Sequence, residues 1–190
     1  MPIETIIFQG MEYPAFQAEG NATQFILPYA KKLLKGRGFD IGFGRNDWAL
    51  GMGSIPIDIK PGVGLQGYHA MKLPKKELPV DYIFCSHSLE HLPDWVAAIE
   101  YFASCLTVGG VLFLYLPHEE QRYWRPFVNR KHKHWLTARM VSSCMREFGF
   151  IKTFSSERDL NWSFAVVGEK GEKRPDGSLN NTYNKSQVEE

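Results

Sequence analysis

The run Asp40-Ile41-Gly42-Phe43-Gly44-Arg45-Asn46-Asp47 is the first stretch whose residue types suit chemistry. Two glycines separated by one residue let a backbone turn sharply and approach a ligand closely, because neither carries a Cβ. A dinucleotide loop wants a third small residue there, for helix packing beside the pyrophosphate. Asp47 holds that place, and a carboxylate so positioned repels phosphate. The run therefore favours a phosphate-free ligand with a positive centre, S-adenosylmethionine, over NAD. A simple turn is the plainer account of the same glycines. Asp58, in Ile55-Pro56-Ile57-Asp58-Ile59, follows at a distance where a carboxylate can accept from both hydroxyls of a ribose. Its plainer account is a solvated aspartate at a strand end.

A second group of reactive side chains lies further on. Pro117-His118-Glu119-Glu120-Gln121-Arg122-Tyr123-Trp124-Arg125 and Asn129-Arg130-Lys131-His132-Lys133-His134-Trp135 are rich in His, Arg and aromatic residues. They follow an apolar run, so they read as the lid of an acceptor pocket. A hydroxyl acceptor needs a base, and histidine is the usual one near neutral pH. His118 is the first candidate base and His87 the second; each is also explained as a histidine bonded to backbone at a strand end. His132 and His134 alternate and share a face in extended chain. With His118 they resemble a ligand set, but no carboxylate or cysteine is evident to complete it, so no metal is expected. The basic run Arg130–Lys133 suits an anionic or saccharide acceptor. It is too short and local to suit nucleic acid.

Those residues need elements to position them. Asn21 to Lys35 reads as a helix capped by Asn21, with Phe25, Ile26, Tyr29, Leu33 and Leu34 on its buried face and Pro28 as a possible kink. Ile3 to Phe8 suits an edge strand, and Tyr13 to Gly20 a loop. Strands are predicted over Gly38–Gly42, Ile55–Ile59, Val80–Ser86 and Val111–Leu116, the last two apolar enough to be covered on both sides. A helix is predicted over Asp94–Leu106, stopped by Gly109-Gly110, and another after Thr137 up to Gly149. Phe150–Phe154 and Ser163–Gly168 are close enough for an antiparallel pair. This alternation predicts an α/β fold: a Rossmann-like, mostly parallel sheet with helices on both faces and a late antiparallel strand.

Leu73-Pro74, then Val80-Asp81-Tyr82-Ile83-Phe84-Cys85-Ser86-His87-Ser88-Leu89-Glu90-His91-Leu92, then Leu106-Thr107-Val108-Gly109-Gly110-Val111-Leu112-Phe113 stand in fixed order behind the glycine run. Over roughly residues 38–118 the chain resembles the class I S-adenosylmethionine-dependent methyltransferase superfamily, in particular its small-molecule (methyltransferase-11-like) branch. The resemblance implies S-adenosylmethionine as cofactor and S-adenosylhomocysteine as its product. Asp40, Gly42 and Gly44 would shape the methionine end, and Asp58 would hold the ribose. Ser86 and His87 would border the sulfonium and the acceptor, while Glu90 and His91 would be structural. Phe16 and Gln17 belong to a leader segment of the kind that folds over the cofactor in this superfamily. Two departures stand out. His69 occupies the position where relatives often hold adenine with an aspartate. Only thirteen residues separate Gly44 from Asp58, too few for the usual full helix. These departures keep open a second reading, a catalytically silent binding or assembly module.

Net charge is +1, so no global field recruits nucleic acid or an anionic membrane. The longest apolar run is far shorter than the roughly 20 residues a membrane helix needs. Cys85, Cys105 and Cys144 are scattered, and Glu4 and Gln9 interrupt the early apolar residues, which together predict a reduced, cytoplasmic protein. The expected organisation is a single domain over residues 1–169: a leader and helix (1–37), a cofactor half (38–118) and an acceptor half (119–169). A polar tail, 170–190, is expected to be disordered. Nothing in the sequence sets the oligomeric state or the acceptor.

Overall fold

A computed structural model describes residues 4–15, 22–44 and 49–172. Asn21, Asp47, Phe16, Gln17 and most of the polar tail lie outside the described residues. Two short strands, β1 (Thr5–Phe8) and β2 (Met11–Pro14), form an antiparallel hairpin of their own. Gln9 and Gly10 both have positive φ, which gives the tight turn whose twist matches its strands. Tyr13 and Pro14, expected to open a loop, are thus the last two residues of β2.

The main sheet has six strands: β3 (Gly38–Ile41), β4 (Ile55–Ile57), β5 (Val80–Ser86), β6 (Leu106–Pro117), β7 (Phe150–Ser155) and β8 (Ser163–Lys170). Their spatial order is β4-β3-β5-β6-β8-β7. The first four pair in parallel; β8 runs antiparallel to both β6 and β7. The chain leaves β3 toward β4 on one side and later returns to β5 on the other. That reversal opens a crevice at the carboxyl ends of β3 and β5, the place where such sheets bind ligands.

Side-chain alternation along the central strands separates two apolar layers. Ile83 and Cys85 of β5 and Leu112, Leu114 and Leu116 of β6 face one way, toward α2 (Trp95–Cys105) and α3 (Ala138–Glu147). Tyr82, Phe84, Phe113 and Tyr115 face the other way, toward α1 (Thr23–Leu33). Each fully buried Leu or Phe contributes about 1.5–3 kcal/mol relative to exposure. The caps are local. The Asp94 carboxylate accepts from the backbone of Val96 and Ala97 to start α2, and the Thr137 hydroxyl accepts from Met140 N to start α3.

Three expectations about elements need correction. The helix α2 ends at Cys105, and Gly109-Gly110 lie inside β6, which starts earlier than its apolar core. Pro28 sits within α1 without splitting it. The buried face of α1 is Thr23, Leu27 and Ala30, continued by Leu34; the stripe Phe25, Tyr29, Leu33 points outward. Helix α1 is apolar around much of its circumference, and Leu27 and Ala30 pack into the cluster that holds Tyr82, Phe84 and Tyr115. Among the described residues no helix is long and apolar enough to cross a membrane, and all three cysteines are free and buried.

Candidate active site

The glycine run leaves the end of β3. Gly42 has φ +76°, and its N–H donates to Ile57 O at 2.9 Å. A Cβ at Gly42 would run into Ser88 Oγ and lie 2.9 Å from Ser88 Cβ and 3.3 Å from Ser86 O. The turn is therefore wedged against the segment that follows β5. Gly44 N donates to Asp58 Oδ2 at 2.9 Å, and Lys60 N donates to Asp58 Oδ1 at 2.7 Å. Asp58 thus ties the glycine loop to the end of β4, and each oxygen keeps a lone pair for a hydroxyl. Asp40 is buried beneath the loop, and its Oδ2 accepts from Leu50 N at 2.7 Å. Burial pushes its pKa up to about 6, against the opposing pull of that bond.

The crevice is closed on its other side by the end of β5. Ser86 Oγ and Thr23 Oγ1 lie 2.7 Å apart, both buried, so the start of α1 rests on Ser86. His87 has φ +46°; its N–H donates to Tyr115 O and its ring meets Tyr115 edge-on. Nε2 is 3.2 Å from Ser163 Oγ, and Nδ1 is 3.6 Å from Glu90 Oε1. Burial lowers the His87 pKa to about 3, with smaller contributions from His132 and His91. Glu90 is 1% exposed, and neither carboxylate oxygen has a hydrogen-bond partner on another residue. Burial raises its pKa to about 8.

Beyond β6 the chain folds into a wall. His118 N donates to Trp162 O, and His118 Nδ1 accepts from Glu120 N at 3.2 Å. In the neutral ring the proton is then on Nε2, which faces Glu119 Oε2 at 3.5 Å. The backbone carbonyl of Glu119 accepts from both Arg125 and Trp135, and the Arg125 guanidinium lies over the Trp135 ring. His118, Gln121, Trp124 and Arg125 share a small cavity with Glu90 and His132. The hairpin braces this wall from outside: Arg122 N donates to Tyr13 OH, Tyr13 packs on Trp162, and Phe8 packs on Tyr123.

The crevice thus gathers Asp40, Gly42, Gly44, Asp58 and Ser86, with His87 deeper and His118 on the wall. His69 stands apart, exposed in a turn where its Nδ1 accepts from Met71 N. His118, His132 and His134 all line the cavity, but the His134 ring is bonded to Leu92 O. The nearest titratable neighbours of His132 are Glu90 and His91. Sequence reasoning gave Glu90 and His91 only a structural role. The signal was present: His87, Glu90 and His91 are spaced i, i+3, i+4, which gathers them on one side of a helical turn, here the 3-10 turn Leu89–His91.

A methyltransferase-domain family model matches residues 17–153, and the chain belongs to that family. S-adenosylmethionine is the cofactor that goes with it. The fold is shared with solved structures of low sequence identity. A Thermotoga maritima protein described as a SAM-dependent methyltransferase, possible histamine N-methyltransferase, aligns with a TM-score of 0.65 at 19% identity, over 82% of this chain and 92% of that one. A SAM-dependent methyltransferase from Archaeoglobus fulgidus gives 0.62 at 15% identity, over 82% and 99%. The N-methyltransferase NodS from Bradyrhizobium japonicum, in complex with S-adenosylhomocysteine, gives 0.58 at 16% identity, over 83% and 89%. No curated protein sequence matches the chain.

The residues at the switch-point crevice fit the cofactor. The Gly42 turn leaves no room for a side chain, and each Asp58 oxygen, holding one backbone N–H, keeps a lone pair free to accept a hydroxyl.

Proposed function

We propose that the chain transfers the methyl group of S-adenosylmethionine to an oxygen or nitrogen of a small-molecule or saccharide acceptor. The observation that carries this reading is the convergence of the Gly42–Gly44 turn, Asp58 and Ser86 on the crevice between β3 and β5. The cofactor supplies a methyl group on a positively charged sulfur, a leaving group that needs no acid. What remains for the chain is alignment, exclusion of water and, for a hydroxyl acceptor, removal of a proton. Gly42 and Gly44 let the backbone approach the ligand closely, with their N–H groups held by Ile57 O and Asp58, and Asp58 accepts from the ribose; His69 is the residue whose sequence position corresponds to the adenine contact. The wall from His118 to Trp135 holds the acceptor.

His118 is the base in this reading, and His87 is the less suited of the two. Burial keeps His87 unprotonated but makes it a weak base. His118 is partly exposed, and its Nε2 lies 3.5 Å from the Glu119 carboxylate. To take a proton, its Nδ1 must release Glu120 N–H or the ring must exchange tautomers. His118→Ala should lower turnover by roughly 100-fold or more while cofactor affinity changes little. Unchanged turnover would remove His118 from the chemistry.

A calorimetric titration with S-adenosylmethionine and with S-adenosylhomocysteine tests the cofactor site. Micromolar one-to-one binding of both is expected. Asp58→Ala should weaken both by roughly 10- to 100-fold, as expected on losing charge-assisted hydrogen bonds worth about 1.5–3 kcal/mol. One observation favours the second reading, a silent binding module: only thirteen residues separate Gly44 from Asp58, fewer than a full supporting helix with its connections needs. A folded protein that binds neither ligand would establish that reading in place of the first.

A further inference from the structure

We propose that Glu90, His91 and His132 form a binding site for a first-row divalent metal ion of the zinc class. One ligand atom from each lies within 4.8 Å of the other two. Glu90 and His91 come from the turn after β5, and His132 from the wall. Lys133 N donates to Glu90 O at 2.8 Å, locking the two segments together at that point.

The polar groups are arranged as acceptors facing acceptors. His91 Nδ1 lies 2.9 Å from Lys131 O, a carbonyl that can only accept, so Nδ1 carries the proton and Nε2 carries the lone pair. The His132 ring is bonded to the backbone of Trp124, a partner that favours the protonated ring and therefore accepts from it. Its Nε2 is 4.0 Å from Glu90 Oε1. The Trp124 ring stacks on the His132 ring with planes 16° apart and fixes its orientation. The Glu90 carboxyl that shares this cluster is 1% exposed and has no hydrogen-bond partner on another residue; His87 Nδ1 also faces it, at 3.6 Å, beyond hydrogen-bond reach. Leaving such a group unsatisfied is costly. A cation at their common centre satisfies all three at once.

The outer contacts match those of metal-bound histidines, which give their second ring nitrogen to a carbonyl or carboxylate. Two imidazoles and one carboxylate suit zinc, iron or cobalt rather than magnesium or calcium, which take oxygen ligands. A tetrahedral site places ligand atoms roughly 3.4 Å apart, so a modest contraction of the cluster suffices. Glu90 and His132 also line the cavity that holds His118 and Gln121. Its volume is about 10 Å³, room for about one water-sized ligand in an open coordination position. The sequence-based expectation of no metal rested on a missing carboxylate and on the wrong histidine pair; Glu90 is that carboxylate, and His91 replaces His134. This site stands or falls separately from the methyl-transfer reading.

The test is a titration of chelator-stripped full-length protein with Co(II) alone, read by visible ligand-field absorption, followed by displacement with Zn(II). One equivalent is expected to bind, with bands that zinc abolishes. Glu90→Gln and His132→Gln should each weaken binding by at least roughly 100-fold, judged against the 10- to 100-fold typical of losing only a supporting partner. His69→Gln, far from the cluster, should bind as the parent protein does. Circular dichroism confirms folding of each variant, and His91→Gln takes the place of any that fails to fold. Absence of a saturable equivalent in the parent protein would overturn the proposal on its own. So would folded Glu90→Gln and His132→Gln variants that bind as tightly as the parent.

Discussion

Gly42→Ala is expected to abolish measurable S-adenosylmethionine binding, a loss of about 100-fold or more in affinity. Two effects combine. At φ +76° a residue with a Cβ is strained by roughly 1–3 kcal/mol. The new methyl group also enters the space of Ser88. Rotating the Ser88 hydroxyl away breaks its bond to Ser86 O, and the Ser88 Cβ still lies only 2.9 Å off. The turn must therefore lift from the end of β5, and the backbone N–H groups at Gly42 and Gly44 leave their positions. A double substitution, Gly42→Ala with Ser88→Gly, should recover part of the affinity, because it removes the clash and leaves the strain. Calorimetry on the two variants separates these contributions. Binding within about threefold of the parent protein in Gly42→Ala alone would mean that the turn is not the cofactor cradle.

Asp40 should make the ligand-free protein less stable as pH rises from about 4 to about 6. Its folded pKa of about 6 lies above the ordinary carboxylate value of 3.8 because the carboxyl is buried. Between those values the folded chain holds more protons than the unfolded chain. Stability from this group is therefore fully present below pH 3.8 and is lost as pH passes the folded pKa. The total is about 3 kcal/mol, at 1.36 kcal/mol per pKa unit. Asp40→Asn cannot ionise, yet its carbonyl still accepts from Leu50 N. Urea unfolding of both proteins across pH 4–7 should show Asp40→Asn gaining on the parent by about 3 kcal/mol over that interval. A stability difference independent of pH would mean that Asp40 titrates normally. The carboxylate that shapes the crevice floor thus weakens the empty fold near neutral pH.

The parts of the fold that depend on continuous apolar runs were legible in the sequence. Val80–Ser86 is a strand with the predicted bounds, because a strand covered on both faces leaves an uninterrupted apolar signature. The start after Thr137 was legible for a local reason, since a cap acts within three residues; Asp94, counted within its helix in the sequence, is the cap that precedes it. The orientation of α1 was not. Its apolar residues run round much of the circumference, so periodicity alone does not say which stripe meets the sheet. Asp58 beside Gly44 followed from spacing, because β3 and β4 are adjacent in both chain and space. The cluster at Glu90 was hidden by distance along the chain. Its partner His132 arrives from a segment without secondary structure, whose path no pattern of apolar residues reports.

The hairpin β1–β2 carries a consequence for the order in which the molecule assembles. Tyr13 receives the Arg122 N–H across 109 residues of sequence and packs on Trp162, which lies further along still. Contacts that close so long a chain segment gain their reward only after most of the conformational entropy has been spent. The hairpin is therefore expected to dock on the wall only after the sheet has formed through β8. Until then the wall from His118 to Trp135 would lack its outer buttress.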